Sequence, residues 1–208
     1  MTKWHRDLLA YYIAEKCSLS AVKYVAPAFA GDVEAALILS VALEDSERGH
    51  VAVMMWRAKV PLGAFRAFLS SVWDHDHRHL IRAAATRRTL GHMFRYAAFP
   101  LPADMPERVT LWRGTSVLSL NEAKAGYSWT TERDVACWFA MRFENPAPLV
   151  LATEVAKTDI ALFGTERDES EAVLMRPPVK AWIDGTQTDW IDASARRQAK
   201  HARPMRSL

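Results

Sequence analysis

Three short segments carry the residue types that chemistry needs. The first is Leu111-Trp112-Arg113-Gly114, an arginine near the end of a β-like run. The second is Gly126-Tyr127-Ser128-Trp129-Thr130-Thr131, two small hydroxyls flanking a tryptophan. The third is Glu169-Ser170-Glu171-Ala172-Val173-Leu174, two carboxylates entering an apolar run. A guanidinium is a planar fork of donors that suits phosphate oxygens. A fixed carboxylate stabilises a developing positive charge or takes up a proton, and a neighbouring hydroxyl can hold it in one rotamer. If residues 169–171 are extended, the two-residue period sends Glu169 and Glu171 to the same side. Taken one at a time, the segments read as a turn, sheet filler and a solvated edge.

Taken in order, they resemble the arginine–serine–glutamate class of ADP-ribosyltransferases, the class of the cholera-toxin-like and clostridial binary-toxin enzymes. The likeness covers about residues 107–185 and is nearest to phage and bacterial members whose hydroxyl motif reads Ser-Trp-Thr. It implies a compact mixed β core and NAD as substrate. By position, Arg113 matches the family arginine, Ser128 and Thr130 the hydroxyl motif, Glu171 the catalytic glutamate, and Glu169 the upstream glutamate that accompanies arginine-directed transfer. The resemblance implies that Arg113 holds the nicotinamide-side phosphate and that Glu171 opposes the charge forming on the ribose. It implies that Ser128 orients Glu171, that Thr130 supports the cleft wall or caps the next helix, and that Glu169 serves the acceptor. Gly114, Ser128, Trp129 and Thr130 join Arg113 as the expected NAD-binding residues. Trp129 stands where the family usually carries a small residue, and the gap of 15 residues from Arg113 to Ser128 is shorter than in the toxins. Glu166, Asp168, Glu169 and Glu171 crowd one loop.

The elements that must position these residues divide at proline. Only Pro27 and Pro61 occur before Pro100. Residues 1–100 read as helical. Asp32 caps a helix from Val33 to Leu43, and Ser46 opens a second through Ala58. A third runs from about Leu62 to Trp73, and a fourth from about His77 to Ala98. Phe99-Pro100-Leu101-Pro102 blocks continuation. Residues 101–208 then show short β-like runs at Val109–Trp112, Tyr127–Thr130, Leu149–Val155, Ile160–Phe163 and Glu171–Met175. One helix interrupts them, with a Thr131/Asp134 capping box and a stripe of Ala136, Phe139, Ala140 and Phe143. The expected class is α+β, an N-terminal helical region followed by an ADP-ribosyltransferase-like core.

Composition narrows the alternatives. The 208 residues are 50% apolar and 25% charged, a globular balance that excludes disorder across the chain. No apolar run has the roughly 20 residues of a membrane span, and the first residues lack the apolar stretch of a secretory signal. Cys17 and Cys137 cannot form a disulfide framework. A cytoplasmic protein is expected, or one delivered into a target cell without such a signal. Net charge is +3. Arg78, Arg82, Arg87, Arg88 and Arg95 form one basic zone, and Arg196, Arg197, Lys200, Arg203 and Arg206 another. Solvated helix faces explain both more simply than a polyanion partner does. His75 and His79 share a helical face, but no third ligand stands at a suitable spacing, so no metal is expected. Trp4, Trp56, Trp73, Trp182 and Trp190 read as packing residues, and Trp138 as a cleft candidate.

The leading expectation is a mono-ADP-ribosyltransferase acting on a macromolecular acceptor, a protein arginine before a nucleic acid. A cognate antitoxin or immunity protein belongs to the same picture. NAD hydrolysis is the alternative within the enzyme class. The alternative from another class is a catalytically silent nucleic-acid- or protein-binding module using the basic helix 78–95.

Overall fold

The computed structural model describes residues 11, 13, 19–143, 146–165 and 168–202. The chain forms two compact units, Met1–Phe99 and Pro100–Leu208. The first is helical and the second is built on one sheet, so the class is α+β. Among the described residues no helix is long and apolar enough to cross a membrane. Trp4 and Cys17 lie outside the described residues.

In the helical unit α1 spans Leu19–Ala30, α2 Val33–Ala42, α3 Asp45–Arg57, α4 Leu62–Ala84 and α5 Arg87–Ala97. Asp32 caps α2 by accepting the Ala35 amide at 3.0 Å. The opening of α3 lies one residue earlier than Ser46 suggests. Glu44 and Glu47 form its capping box, each side chain taking the other's backbone amide. The stretch read as two helices at 62–73 and 77–98 is partitioned differently. α4 runs through Asp76, whose φ of −137° kinks it, and the true break comes at Ala85. There φ turns to 61°, and Thr86 caps α5 through the Thr89 amide at 3.0 Å. The kink is held from α3, where the Arg48 guanidinium pairs with the Asp76 carboxylate. Gly49 lets α3 lie against the His79 carbonyl of α4, where a Cβ would collide with backbone. Phe29, Leu39, Phe65, Phe68, Trp73 and Phe94 are all buried. Burial of such side chains stabilises by about 1.5–3 kcal/mol each, so this core holds the unit.

The second unit contains β1 (Arg108–Ser116), α6 (Leu120–Lys124), β2 (Ser128–Thr130) and α7 (Arg133–Met141). These are followed by β3 (Pro148–Ala156), β4 (Ile160–Gly164), β5 (Glu171–Leu174), β6 (Trp182–Ile183) and α8 (Gln187–Ala202). The strands form one antiparallel sheet in the order β4-β5-β2-β1-β3-β6. Sequence reading located β1 to β5 within a few residues, but β6 and α8 carry no strong pattern and were missed. One sheet face packs Val109, Leu111, Trp129, Leu151, Val155, Ala172 and Leu174 into a core. The other packs Trp112 and Val150 with Ala136, Cys137 and Ala140 of α7 and Trp190 and Ala193 of α8.

α7 departs from its expected form. Its N-cap residue is Glu132, and the Thr131/Asp134 box is absent. Thr130 does the capping work instead, its Oγ1 accepting the Glu132 amide at 3.0 Å. The buried side is Val135, Ala136, Cys137 and Ala140, so the stripe is rotated away from Phe139, and Phe143 is 78% exposed. Phe143 lies past the helix end beside Arg142, whose guanidinium lies over the rings of Trp138, Phe139 and Phe143. Arg142 thus contacts the rings of Phe139 and Phe143 that the expected stripe would have buried.

Candidate active site

The three strands that carry the singled-out residues are contiguous. β2 lies between β1 and β5, with Trp112 opposite Thr130 on one side and Thr130 opposite Glu171 on the other. Segments separated by up to 58 residues in sequence therefore meet at the middle of one sheet. Cross-strand neighbours in direct register have Cβ atoms about 5 Å apart and share a face.

Register also decides which residues meet. Thr130, rather than Ser128, stands directly across from Glu171, and Ser128 stands across from Val173. The hydroxyl residue across from Glu171 is thus Thr130, and Ser128 occupies the diagonal position. Alternation along β1 assigns Arg113 to the face of Leu111 and Leu151, opposite to the face shared by Ser128, Thr130 and Glu171. The arginine nevertheless reaches β2. Its Nη1 donates to the Ser128 carbonyl at 2.5 Å, a charged hydrogen bond of the kind that contributes about 1.5–3 kcal/mol. The guanidinium lies against Gly126, where a Cβ would overlap it.

Two expected NAD-binding residues have other work. Trp129 is 2% exposed in the core on the Leu111 face, and its Nε1 donates to the Gly126 carbonyl at 3.3 Å. An indole packed there is a wall of the hydrophobic core, so its direct contact with a ligand is set aside. Gly114 faces α7. A Cβ at this position would collide with the Ala136 carbonyl and meet the Ala140 amide nitrogen at 2.9 Å. The glycine is required for helix-on-strand approach, and that side is not open to a ligand.

The Glu-x-Glu pair is arranged differently from a strand. β5 begins at Glu171, and Ser170 has φ 44° and Asp168 φ 55°. Such backbone breaks the two-residue period, so Glu169 belongs to the loop ahead of β5. The loop is tied down by its carbonyls. The Glu169 carbonyl accepts Thr130 Oγ1 at 2.6 Å, and the Ser170 carbonyl accepts the Thr131 amide at 3.1 Å. Thr130, 5% exposed, therefore faces Glu171, fixes Glu169 and caps α7 with one side chain.

Sequence reading missed Glu132, Ser170 and Arg197. Ser170 Oγ donates to Glu132 Oε1 at 2.6 Å, and Arg197 Nη2 donates to the Asp168 carbonyl at 2.5 Å. Arg197, counted with the basic tail, is 7% exposed, and its neighbour Arg196 forms a two-pronged pair with Asp134 at 2.8 and 3.0 Å. Arg197 is therefore no part of an open polyanion-binding face, and Arg196 is paired with a carboxylate. The sequence signal for Arg197 is its place at helical spacing after Trp190 and Ala193 on α8. In the other unit, His75 uses its Nδ1 on the Ser71 carbonyl at 2.9 Å. Burial pushes the Cys137 thiol up to about 11, so it is a protonated core group at neutral pH.

Comparison with known protein families, with characterised proteins and with solved structures finds no match to this chain.

Proposed function

We propose that this chain is a mono-ADP-ribosyltransferase that cleaves NAD and transfers ADP-ribose to a macromolecular acceptor, an arginine side chain before other groups. The observation that carries the reading is the contiguity of β1, β2 and β5, with Thr130 opposite Glu171 and Arg113 bonded to the Ser128 carbonyl. The resemblance in residue order would be accidental if those strands lay apart in the sheet.

The chemistry assigned to each side chain follows from its type. Breaking the bond between ribose C1′ and nicotinamide leaves positive charge on the ribose, and nicotinamide departs with the bonding electron pair. A carboxylate at Glu171, on the strand paired with Thr130, stabilises that charge as it forms. An acceptor guanidine nitrogen then forms the new bond to C1′ and gives up a proton, which the Glu169 carboxylate takes. Arg113 has five donors. One holds the Ser128 carbonyl from the sheet face opposite Glu171, so Arg113 is assigned the bracing of β2. NAD is a solute of the cytoplasm, so the proposed place of action is a cytoplasm, that of its own cell or of a target cell.

The test is incubation with NAD labelled in the adenylate, with cell lysate and separately with agmatine as a small guanidine acceptor. Release of nicotinamide with label on protein and agmatine supports transfer to arginine. Release with label appearing only as free ADP-ribose makes the enzyme an NAD glycohydrolase. Absence of nicotinamide release, with salt-dependent nucleic-acid binding in its place, overturns the proposal in favour of a binding module.

A further inference from the structure

Asp168, Glu169 and Ser170 form an unusual run. Two of the three residues have positive φ without being glycine, 55° at Asp168 and 44° at Ser170. L-residues avoid this region because Cβ crowds the backbone, so the conformation persists only where surroundings impose it. Here all three carbonyls are gripped from outside. Arg197 Nη2 of α8 donates to the Asp168 carbonyl at 2.5 Å. Thr130 Oγ1 of β2 donates to the Glu169 carbonyl at 2.6 Å, and the Thr131 amide to the Ser170 carbonyl at 3.1 Å. A fourth tie runs through side chains. Ser170 Oγ donates to Glu132 Oε1 at 2.6 Å, and Glu132 Oε2 lies 4.0 Å from Arg197 Nη1.

Arg197 is the distant member of this set, 29 residues from Asp168 and 65 from Glu132, and it is buried. Placing a guanidinium in a protein interior is costly unless its charge and donors are met. A methionine would fill the same space without that cost. The arginine does two things that methionine cannot. It holds a backbone carbonyl, and it brings a positive charge to the carboxylate that holds Ser170.

We infer that Arg197 is a positioning residue: it locks the 168–170 loop in its left-handed conformation and so aims the Glu169 carboxylate at the acceptor. The functional half of this inference rests on the transferase reading, and the structural half does not. Glu171 is anchored independently by its strand pairing with Thr130 and Gly164. Loosening the loop therefore degrades transfer more than cleavage.

The experiment compares wild type with Arg197→Met, Arg197→Lys and Ser170→Ala. Amide hydrogen exchange at Thr131, which reports the bond to the Ser170 carbonyl, is measured beside the amides of the β1–β3 ladder. Nicotinamide release and agmatine modification are measured on the same preparations. In Arg197→Met the Thr131 amide is expected to exchange at least about tenfold faster while the ladder is unchanged. The ratio of transfer to nicotinamide release is expected to fall by a similar factor, with KM for NAD held. Arg197→Lys, which keeps a donor for the Asp168 carbonyl, should recover part of both. Ser170→Ala, which cuts only the Glu132 tie, should show the smaller effect. Unchanged Thr131 exchange in Arg197→Met overturns the inference, as does equal acceleration of the ladder, which would make Arg197 a general fold residue. A loosened loop with an unchanged transfer ratio overturns the functional half alone. Should wild type release no nicotinamide, the transferase reading fails, while the Thr131 amide still decides whether Arg197 grips the loop.

Discussion

The two units hold their shapes by different means. In the helical unit the decisive contacts are apolar: Phe65, Phe68, Leu69 and Trp73 follow one another along a single face of α4 and are buried together. Polar ties such as Tyr96 Oη to the Val60 carbonyl at 2.8 Å, or Ser40 Oγ to Ser71 Oγ at 2.7 Å, sit around that core. In the sheet unit the candidate site is held by hydrogen bonds to backbone carbonyls. Ser128, Asp168, Glu169 and Ser170 each have their carbonyl taken by a residue of another element or of the chain just beyond it. Apolar packing tolerates small displacements. A carbonyl held at hydrogen-bond distance does not, and that difference suits a scaffold on one hand and a site that must aim carboxylates on the other.

The sharpest way to separate the two is to delete one member of each. Phe68→Ala removes a fully buried ring from the helical unit and should lower its stability by about 3–5 kcal/mol. Denaturant unfolding followed by helical circular dichroism measures this. A loss below about 1 kcal/mol would mean the apolar account of that unit is wrong. Thr130→Val conserves shape in the sheet unit but leaves the Glu169 carbonyl and the Glu132 amide without their partner. The expected cost is about 1–3 kcal/mol, read by unfolding of the tryptophan signal. A neutral outcome would show that solvent replaces both bonds.

The contrast also explains what could be read in advance. Helical period and caps are local, so Asp32, the α4 face and the end at Phe99 were visible in sequence. β1 to β5 were visible because β-branched and aromatic runs are local too. The partition at Ala85 was hidden because Leu80, Ala84 and Leu90 keep an apolar spacing across it. Its cause is Thr86, a cap residue standing between Ala83-Ala84-Ala85 and Arg87-Arg88. In the site, residue order suggested which strands matter, but register chose Thr130 over Ser128 as the neighbour of Glu171. The left-handed loop removed Glu169 from the strand. Nothing local in Arg197 or Glu132 announces a grip on residues so far away, because that information lies only in the folded chain.

Two smaller changes probe how finely the sheet unit is set. Gly126→Ala places a methyl against the Arg113 guanidinium, which must loosen its bond to the Ser128 carbonyl to clear it. It should weaken NAD binding by about tenfold, roughly 1.4 kcal/mol. Arg113→Lys, which cannot reproduce the fork, should match it in calorimetry. If Gly126→Ala binds NAD as wild type does, the guanidinium does not brace the site. The smallest effect concerns Cys137, whose thiol is held protonated to about pH 11 by burial. Its pKa is raised on folding, so its contribution is complete below the unfolded value near 9 and is lost as pH climbs towards 11. In a Cys17→Ser background, stability should fall across that window more steeply than in Cys137→Ala. Parallel slopes would remove Cys137 as the cause.

The central claim is that Glu171, set opposite Thr130 at the start of β5, drives cleavage of NAD. The direct measurement is nicotinamide release by Glu171→Gln beside wild type, with amide exchange of the β1–β3 ladder confirming an equal fold. Gln keeps the size and removes the charge, so release should drop by a factor on the order of 10²–10³. Release within about threefold of wild type by the folded variant would contradict the claim.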